Sequence, residues 1–160
     1  MSSSQTARKR SHINIPPRLH VGTWPEMGQA AALVRLKVFV LEQGIDESEE
    51  WDAADSDALH AILLTGQGEP VATGRLLPAE DSVGHIGRVA VLQSQRGSGR
   101  GAMVMQALEQ AARERGDQAI ELSAQCSVQG FYERLGYVAV GQPYDEVGIA
   151  HIRMRKSLQL

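Results

Sequence analysis

The chain has 160 residues, of which 42% are hydrophobic and 22% are charged, and its formal net charge is −3. Such values are ordinary for one soluble globular domain, and the net charge excludes bulk attraction to nucleic acid. No apolar run approaches the roughly 20 residues that span a bilayer, and the first residues lack the apolar core of a signal peptide. The single cysteine, Cys126, rules out an internal disulfide, so we expect a cytoplasmic protein.

Charged residues are distributed unevenly along the chain. Residues 1–18 carry four basic side chains and no acid, which predicts a flexible basic arm over residues 1–17 before one domain over residues 18–158. Residues 42–57 carry eight acids and no base. This acidic segment indicates either a solvated loop or a rim that attracts a cationic amine.

Apolar periodicity and glycine or proline punctuation predict the order of the secondary structure. A short strand over residues 19–22 precedes a helix that begins near Pro25 and ends at Gly44. Hairpin-connected strands follow, and then a βαβ-like half, which together indicate a mixed sheet. The predicted long helix covers residues 103–115, and the predicted strands cover residues 58–64, 71–77, 86–92, 119–124, 137–140 and 149–155.

The segment Gln95–Ala102 is a glycine-rich turn between an apolar strand and a helix N-terminus. Its bare N–H groups and the helix dipole favour an anion, so the ligand is expected to carry phosphates. A Walker A loop would need Gly-Lys-Ser/Thr, which is absent. A dinucleotide fingerprint is met by Gly97, Gly99 and Ala102, with Glu121 about twenty residues further on. Four residues separate the strand from Gly97, however, whereas that fingerprint places its turn directly at the strand end.

A third pattern in the loop, R-x-x-G-x-G/A at Arg96, Gly99 and Gly101, resembles the pyrophosphate signature of GNAT N-acetyltransferases. Residues 131–137 read F-Y-E-R-L-G-Y, similar to the second hallmark of that family, F-Y-x-x-x-G-F/Y. Residues 38–44 read V-F-V-L-E-Q-G and resemble one bacterial subgroup. These matches follow the family's order from about residue 35 to residue 154, so the resemblance covers most of the chain.

The resemblance implies a single α/β (α+β) domain with a twisted, mixed, mostly antiparallel sheet of six to seven strands and helices on both faces. In that family strands 4 and 5 splay apart in a V, and the pantetheine arm of the ligand pairs with the free backbone of strand 4. The implied cosubstrate is acetyl-CoA, with no metal. The residues implied to bind it are Val89, Ala90, Val91, Arg96, Gly97, Ser98, Gly99, Arg100, Gly101, Ala102 and Ser127.

Acetyl transfer to an amine requires removal of a proton from an ammonium group, whose pKa is near 10.4 in alkyl amines, and protonation of the leaving thiolate. The resemblance implies Tyr132 as the general acid and the N–H of Val91 as the oxyanion donor. His151, whose residue type titrates near neutral pH, and Glu146 are the preferred bases. The wider set of candidate bases is His151, Glu146, His85, Glu80 and Glu42.

The acceptor pocket is expected to include Gln43, Trp51 and Asp52, because their segment matches the subgroup. The acceptor is expected to be a small cationic amine, an amino sugar or a protein amine, and the acidic segment favours the first. The resemblance leaves a homodimer open. Two other functions remain as alternatives: a non-catalytic acyl-CoA-binding sensor domain and a dinucleotide-binding oxidoreductase.

Overall fold

The computed structural model describes residues 15–159, and the predicted basic arm lies almost entirely outside that range. A seven-stranded sheet has the spatial order β1-β2-β3-β4-β5-β7-β6, in which only β4 and β5 are parallel. The predicted mixed, mostly antiparallel sheet is thereby confirmed. Its strands are β1 (Arg18–Gly22), β2 (Leu59–Leu64), β3 (Pro70–Glu80), β4 (Val83–Val91), β5 (Ala119–Gln125), β6 (Val138–Glu146) and β7 (Ile149–Ser157).

Four α-helices accompany the sheet: α1 (Trp24–Arg35), α2 (Glu47–Glu50), α3 (Arg100–Glu114) and α4 (Gln129–Arg134). The helix predicted to reach Gly44 ends as α1 at Arg35 and continues as a π-helix over Leu36–Glu42. Its wider turn is visible in the N–H of Gln43, which donates to the carbonyl of Val38 at 3.0 Å. Short π-helical segments within helices occur frequently at functional sites. None of the helices formed by residues 15–159 has the length and apolarity of a membrane-spanning segment.

The helices cover both faces of the sheet. Successive strand residues point to opposite faces, and a Cβ on Gly74 of β3 would lie 2.9 Å from Val104 of α3. The next residue, Arg75, faces α1, where it shares the carboxylate of Asp55 with Arg35. The core below α3 consists of apolar side chains that are buried, among them Leu76, Ile86, Val104, Met105, Leu108, Ala112 and Ile120.

The fourth and fifth strands separate after a short parallel contact. Only Val83–His85 of β4 pairs with β5, so residues 86–91 have no strand on that side. A bulge marks the separated half of β4, because Arg75 faces Gly87 whereas Thr73 faces Ala90. Arg88, inside the bulge, has φ +51°, a left-handed conformation that costs free energy for a residue with a Cβ. The predicted V-shaped splay is therefore confirmed, with a strained arginine on its wall.

The sixth strand is longer than its pattern predicts. Gly141-Gln142-Pro143 was expected to end it at Val140, but β6 continues to Glu146 across a register shift between Val140 and Tyr144. Because β6 is the last strand of the sheet, Pro143 needs no partner for its missing N–H on the outer side. The extension matters for function, since it carries Tyr144 and Glu146 to the site described next.

Candidate active site

A cavity of about 1190 Å³ occupies the space between the separated halves of β4 and β5. Its lining includes the glycine-rich loop before α3 as well as Tyr144 and Glu146 of β6 and His151 of β7. The segment Val89–Val91 lines one wall, and Glu121–Ser123 and Gln125 of β5 line the opposite wall. The splay therefore creates a single continuous cleft that joins the predicted phosphate loop to the predicted catalytic residues.

The glycine-rich loop presents its main chain to this cavity. Gly97 and Gly99 have φ +82° and +80°, and nothing lies within 4 Å of a Cβ built on either, so backbone conformation rather than space favours glycine there. The first N–H of α3 with a partner is that of Met103, which donates to the Gly99 carbonyl at 3.1 Å. The N–H groups of residues 97–102 have no partner within residues 15–159. Six free donors beside a helix N-terminus fit a pyrophosphate.

Arg96 braces this loop. Its guanidinium donates to both carboxylate oxygens of Glu42, each at 2.7 Å, and its Nε donates to the carbonyl of Val91 at 3.0 Å. The hydrogen bonds from Arg96 lower the pKa of Glu42, so that this carboxylate is a poor proton acceptor at neutral pH. Arg100 donates to the side chain of Gln95 at 2.8 Å and lines the cavity. Ser98 donates to the Gln95 carbonyl and does not line the cavity.

Gln43, which follows Glu42 in the sequence, contacts the β5 wall of the cavity. Its side-chain carbonyl accepts a hydrogen bond from the amide of Gln125, at the end of β5, at 2.9 Å. Glu42, the last residue of the π-helix, thus contacts the loop on the β4 side of the cleft, and Gln43, the next residue, contacts β5 on the other side. These two side-chain contacts hold β4 and β5 apart, so the cleft is a preformed site.

Tyr132 lies in α4 and lines the cavity. Its ring is buried, packed edge-to-face against Phe131 with centroids 4.9 Å apart. The hydroxyl has no hydrogen-bond partner among residues 15–159, and burial raises its pKa to about 12. The phenol therefore stays protonated at neutral pH, the form that a proton donor needs.

His151 and Glu146, predicted separately as bases, lie together. The Nδ1 of His151 lies 2.7 Å from the carbonyl of Ile149, which can only accept, so Nδ1 carries a proton. The Nε2 atom lies 3.4 Å from the carboxylate of Glu146. The Ser123 hydroxyl bonds the Tyr144 hydroxyl and Glu146, and the Tyr144 ring stacks on His151. A neutral His151 in this tautomer has its lone pair on Nε2, and Glu146 would stabilise the imidazolium that forms on protonation.

The remaining predicted site residues divide between the cavity and its surroundings. His85 and Gln43 line the cavity, as do the loop residues Gly97 and Gly99–Ala102. Glu80 pairs with Val83 at the tip of the β3–β4 hairpin and does not line it. Ser127 lies in a single 3₁₀ turn after β5 and does not line it either.

Trp51 and Asp52, predicted for the acceptor pocket, also lie outside the cavity lining. Trp51 packs over the guanidinium of Arg35, 5.0 Å from its ring centroid. Asp52 accepts two hydrogen bonds from Arg75, at 2.7 and 2.9 Å, and lies 3.4 Å from Arg88. Its position is explained by ion pairing with these two arginines, which themselves line the cavity.

Asp52 belongs to a larger group of charges that we call the ion cluster: Arg35, Glu50, Asp52, Asp55, Arg75 and Arg88. Three carboxylates meet three guanidiniums, and four of the six side chains are buried. The acidic segment is therefore not a free anionic rim, since three of its acids form ion pairs with these arginines. No sequence pattern indicates this cluster, because Arg75 and Arg88 lie in later strands.

Several known proteins are similar to this chain in sequence. Residues 27–158 match the family model Acetyltransferase (GNAT) domain. The chain is 35% identical over 127 residues to the Bacillus subtilis uncharacterized N-acetyltransferase YjcF, covering 79% of this chain and 89% of that protein. It is 34% identical over 138 residues to protein ElaA of Escherichia coli, covering 82% and 90% respectively.

A solved structure of an acyl-CoA N-acyltransferase has a similar fold. The crystal structure of an acyl-CoA N-acyltransferase from Pseudomonas aeruginosa superimposes with a TM-score of 0.77 at 32% identity. The superposition covers 88% of this chain and 99% of that one. The family match over residues 27–158, the relatives above 30% identity and the splayed sheet agree. The chain therefore belongs to the GNAT family and is an acyltransferase with an acyl-CoA cosubstrate.

Proposed function

We propose that this protein transfers the acetyl group of acetyl-CoA directly to a primary amine, with both substrates bound at once. The observation that carries the proposal is the single cavity that joins the free N–H groups of residues 97–102 to Tyr132 and His151. The phosphate-binding loop, a proton donor and a proton acceptor therefore all line one cavity. A small cationic amine is the favoured acceptor, and a protein amine is the second candidate.

The residues present fit acetyl-CoA. The N–H groups of residues 97–102 would hold its pyrophosphate, and Arg96 would keep that loop in place from Glu42. The free edge of Val89–Val91 would bind the amides of its pantetheine arm as an added strand does. The thioester supplies an acyl carbon that the amine nitrogen attacks, which forms the C–N bond of the amide and releases the thiolate.

The residues of the chain supply the proton transfers. His151 accepts the ammonium proton at Nε2, because Nδ1 is already protonated toward Ile149. Glu146, 3.4 Å from Nε2, offsets the charge that this transfer creates. Tyr132 donates its hydroxyl proton to the thiolate, and the second proton lost by the attacking nitrogen as the amide forms restores the phenol. The N–H of Val91 donates a hydrogen bond to the oxygen that gains charge. The chain thus provides the acid, the base and the donor that amide formation requires.

Replacing Tyr132 with phenylalanine is expected to lower kcat about tenfold to a hundredfold while acetyl-CoA affinity stays within twofold. The loss is smaller than for a base, because a thiolate with an ordinary pKa near 8.5 leaves without full protonation. Free-thiol release is measured with spermidine, phenethylamine, glucosamine and a lysine peptide as acceptors. Unaltered turnover would exclude Tyr132 as the acid, and no thiol release with any amine would contradict the proposed function.

Replacing Glu42 with glutamine is expected to weaken acetyl-CoA binding about two- to fivefold, because Arg96 loses the charge that holds the loop. The effect is modest, since both side chains are partly exposed and exposed ion pairs contribute little. Titration calorimetry measures it, with Glu47→Gln as the matched control: Glu47 is exposed in the same acidic segment and forms no ion pair within residues 15–159. Equal affinities of the two variants would contradict the bracing role.

A further inference from the structure

We propose that Glu50 binds the ammonium group of the acceptor amine, and this inference rests on the proposed function. Glu50 ends α2 and has 3% of its surface exposed, yet it lines the cavity. Its Oε1 accepts a hydrogen bond from Arg35, and its Oε2 has no partner within the described range 15–159. The free oxygen of a buried carboxylate on the cavity wall is the atom left to meet a cationic ligand.

The carboxylate is held in one orientation. Arg35 donates from Nε to Oε1 at 2.7 Å and from Nη2 to the Glu50 carbonyl at 3.0 Å, so that main chain and side chain are fixed together. Arg35 itself lies between Trp24 and Trp51, with its guanidinium 5.7 and 5.0 Å from their ring centroids. A carboxylate whose position is set before the ligand arrives loses little side-chain entropy on binding.

The nearby arginines leave the charge of Glu50 partly uncompensated. Arg75 is occupied by Asp52 and Asp55 through bonds of 2.7–2.9 Å. Arg88 approaches Glu50 only at 3.3 Å, and its bond to Asp52 is 3.4 Å long. Both arginines line the cavity, but the short bonds of Arg75 go to the two aspartates, and Arg88 reaches only Oε1 of Glu50 and leaves Oε2 free. Glu50 is therefore the member of the ion cluster whose negative charge remains available on the cavity side.

The energetic state of Glu50 agrees with this role. Burial raises the pKa of Glu50, because the favourable contacts with the arginines do not offset the loss of hydration of the carboxylate. An ammonium group next to Oε2 would supply the missing compensation. Glu49, which is exposed and also lines the cavity, adds a second negative charge at the same end. The acceptor class that fits is a primary amine that enters as its ammonium form.

The test compares Glu50→Gln with Asp55→Asn in the full-length enzyme. Both changes neutralise one buried carboxylate bonded to Arg35, but Asp55 does not line the cavity, so it controls for damage to the ion cluster. With the best amine of spermidine, phenethylamine, glucosamine and a lysine peptide, Glu50→Gln is expected to raise the acceptor KM about tenfold or more. The KM for acetyl-CoA should stay within twofold in both variants, and Asp55→Asn should leave the acceptor KM within twofold.

Equal acceptor KM values in the two variants would overturn the role of Glu50 while leaving the proposed function intact. No transfer by the unaltered enzyme to any of the amines would instead overturn the proposed function, and this inference with it. Where Glu50→Gln does not fold, Glu50→Asp keeps the cluster's charge and withdraws the carboxylate by one methylene. That variant is then expected to raise the acceptor KM several-fold, and an unchanged KM would overturn the proposal.

Discussion

Replacing Arg35 with methionine is expected to lower the free energy of unfolding by about 3–5 kcal/mol, measured by urea denaturation. Arg35 is 1% exposed and is bonded to Glu50 at 2.7 Å and to Asp55 at 2.8 Å. Removing the cation leaves two buried carboxylates without their main partner, which costs far more than the loss of an exposed pair. The stacking contacts with the two tryptophans are also weakened.

Arg113→Met is the matched control for this change. Arg113 lies exposed in the last turn of α3 and forms no ion pair among residues 15–159, so its replacement is expected to change the unfolding free energy by less than about 0.5 kcal/mol. Similar, small losses in both variants would show that the ion cluster does not stabilise the fold. The measurement also shows whether kinetic changes in variants of Glu50 and Asp55 can be attributed to the site rather than to unfolding.

Replacing His151 with glutamine is expected to lower kcat about 10²- to 10⁴-fold, the range typical of a lost general base. Glutamine can still donate a hydrogen bond toward Ile149, but it cannot take the ammonium proton. Acetyl-CoA affinity is expected to stay within twofold, because His151 lies in β7 and is not part of the glycine-rich loop. Initial rates of thiol release at saturating amine, together with calorimetry, separate the two effects.

His20→Gln controls for a general effect of losing a histidine. His20 is exposed on β1, which lies at the opposite edge of the sheet from β6 and does not contribute to the cavity. Its turnover is expected to match that of the unaltered enzyme. A loss of only a few-fold in His151→Gln would exclude His151 as the base and would leave a water chain or Glu146 for that task.

Short sequence windows were sufficient for the fold and for the loop. The turn around Gly97 and Gly99 is visible in the sequence because its glycines lie within one strand–turn–helix window, and the structure gives both a positive φ. Strand positions follow from apolar runs with glycine or proline boundaries. The exception, β6, was shortened in the prediction because glycine and proline usually end a strand, whereas an edge strand with a register shift accommodates both.

The partners of the site residues could not be predicted in this way. Glu42 and Arg96 are 54 residues apart in sequence, and Gln43 and Gln125 are 82 apart. Periodicity carries no information on such pairs, because it reports which face of an element is buried and not which distant element covers it. The same limit applies to the acidic segment. Its composition shows eight acids, but only the fold brings Arg35, Arg75 and Arg88 to them.

The measurement that tests the central claim most directly is titration calorimetry of acetyl-CoA binding, with NADH and ATP in the same buffer. The cleft between β4 and β5 predicts saturable binding of acetyl-CoA, far weaker binding of the other two, and a lower affinity in Gly99→Ala, whose φ of +80° a side chain strains. No binding of acetyl-CoA, or binding of NADH alone, would contradict the account and return the loop to its dinucleotide interpretation.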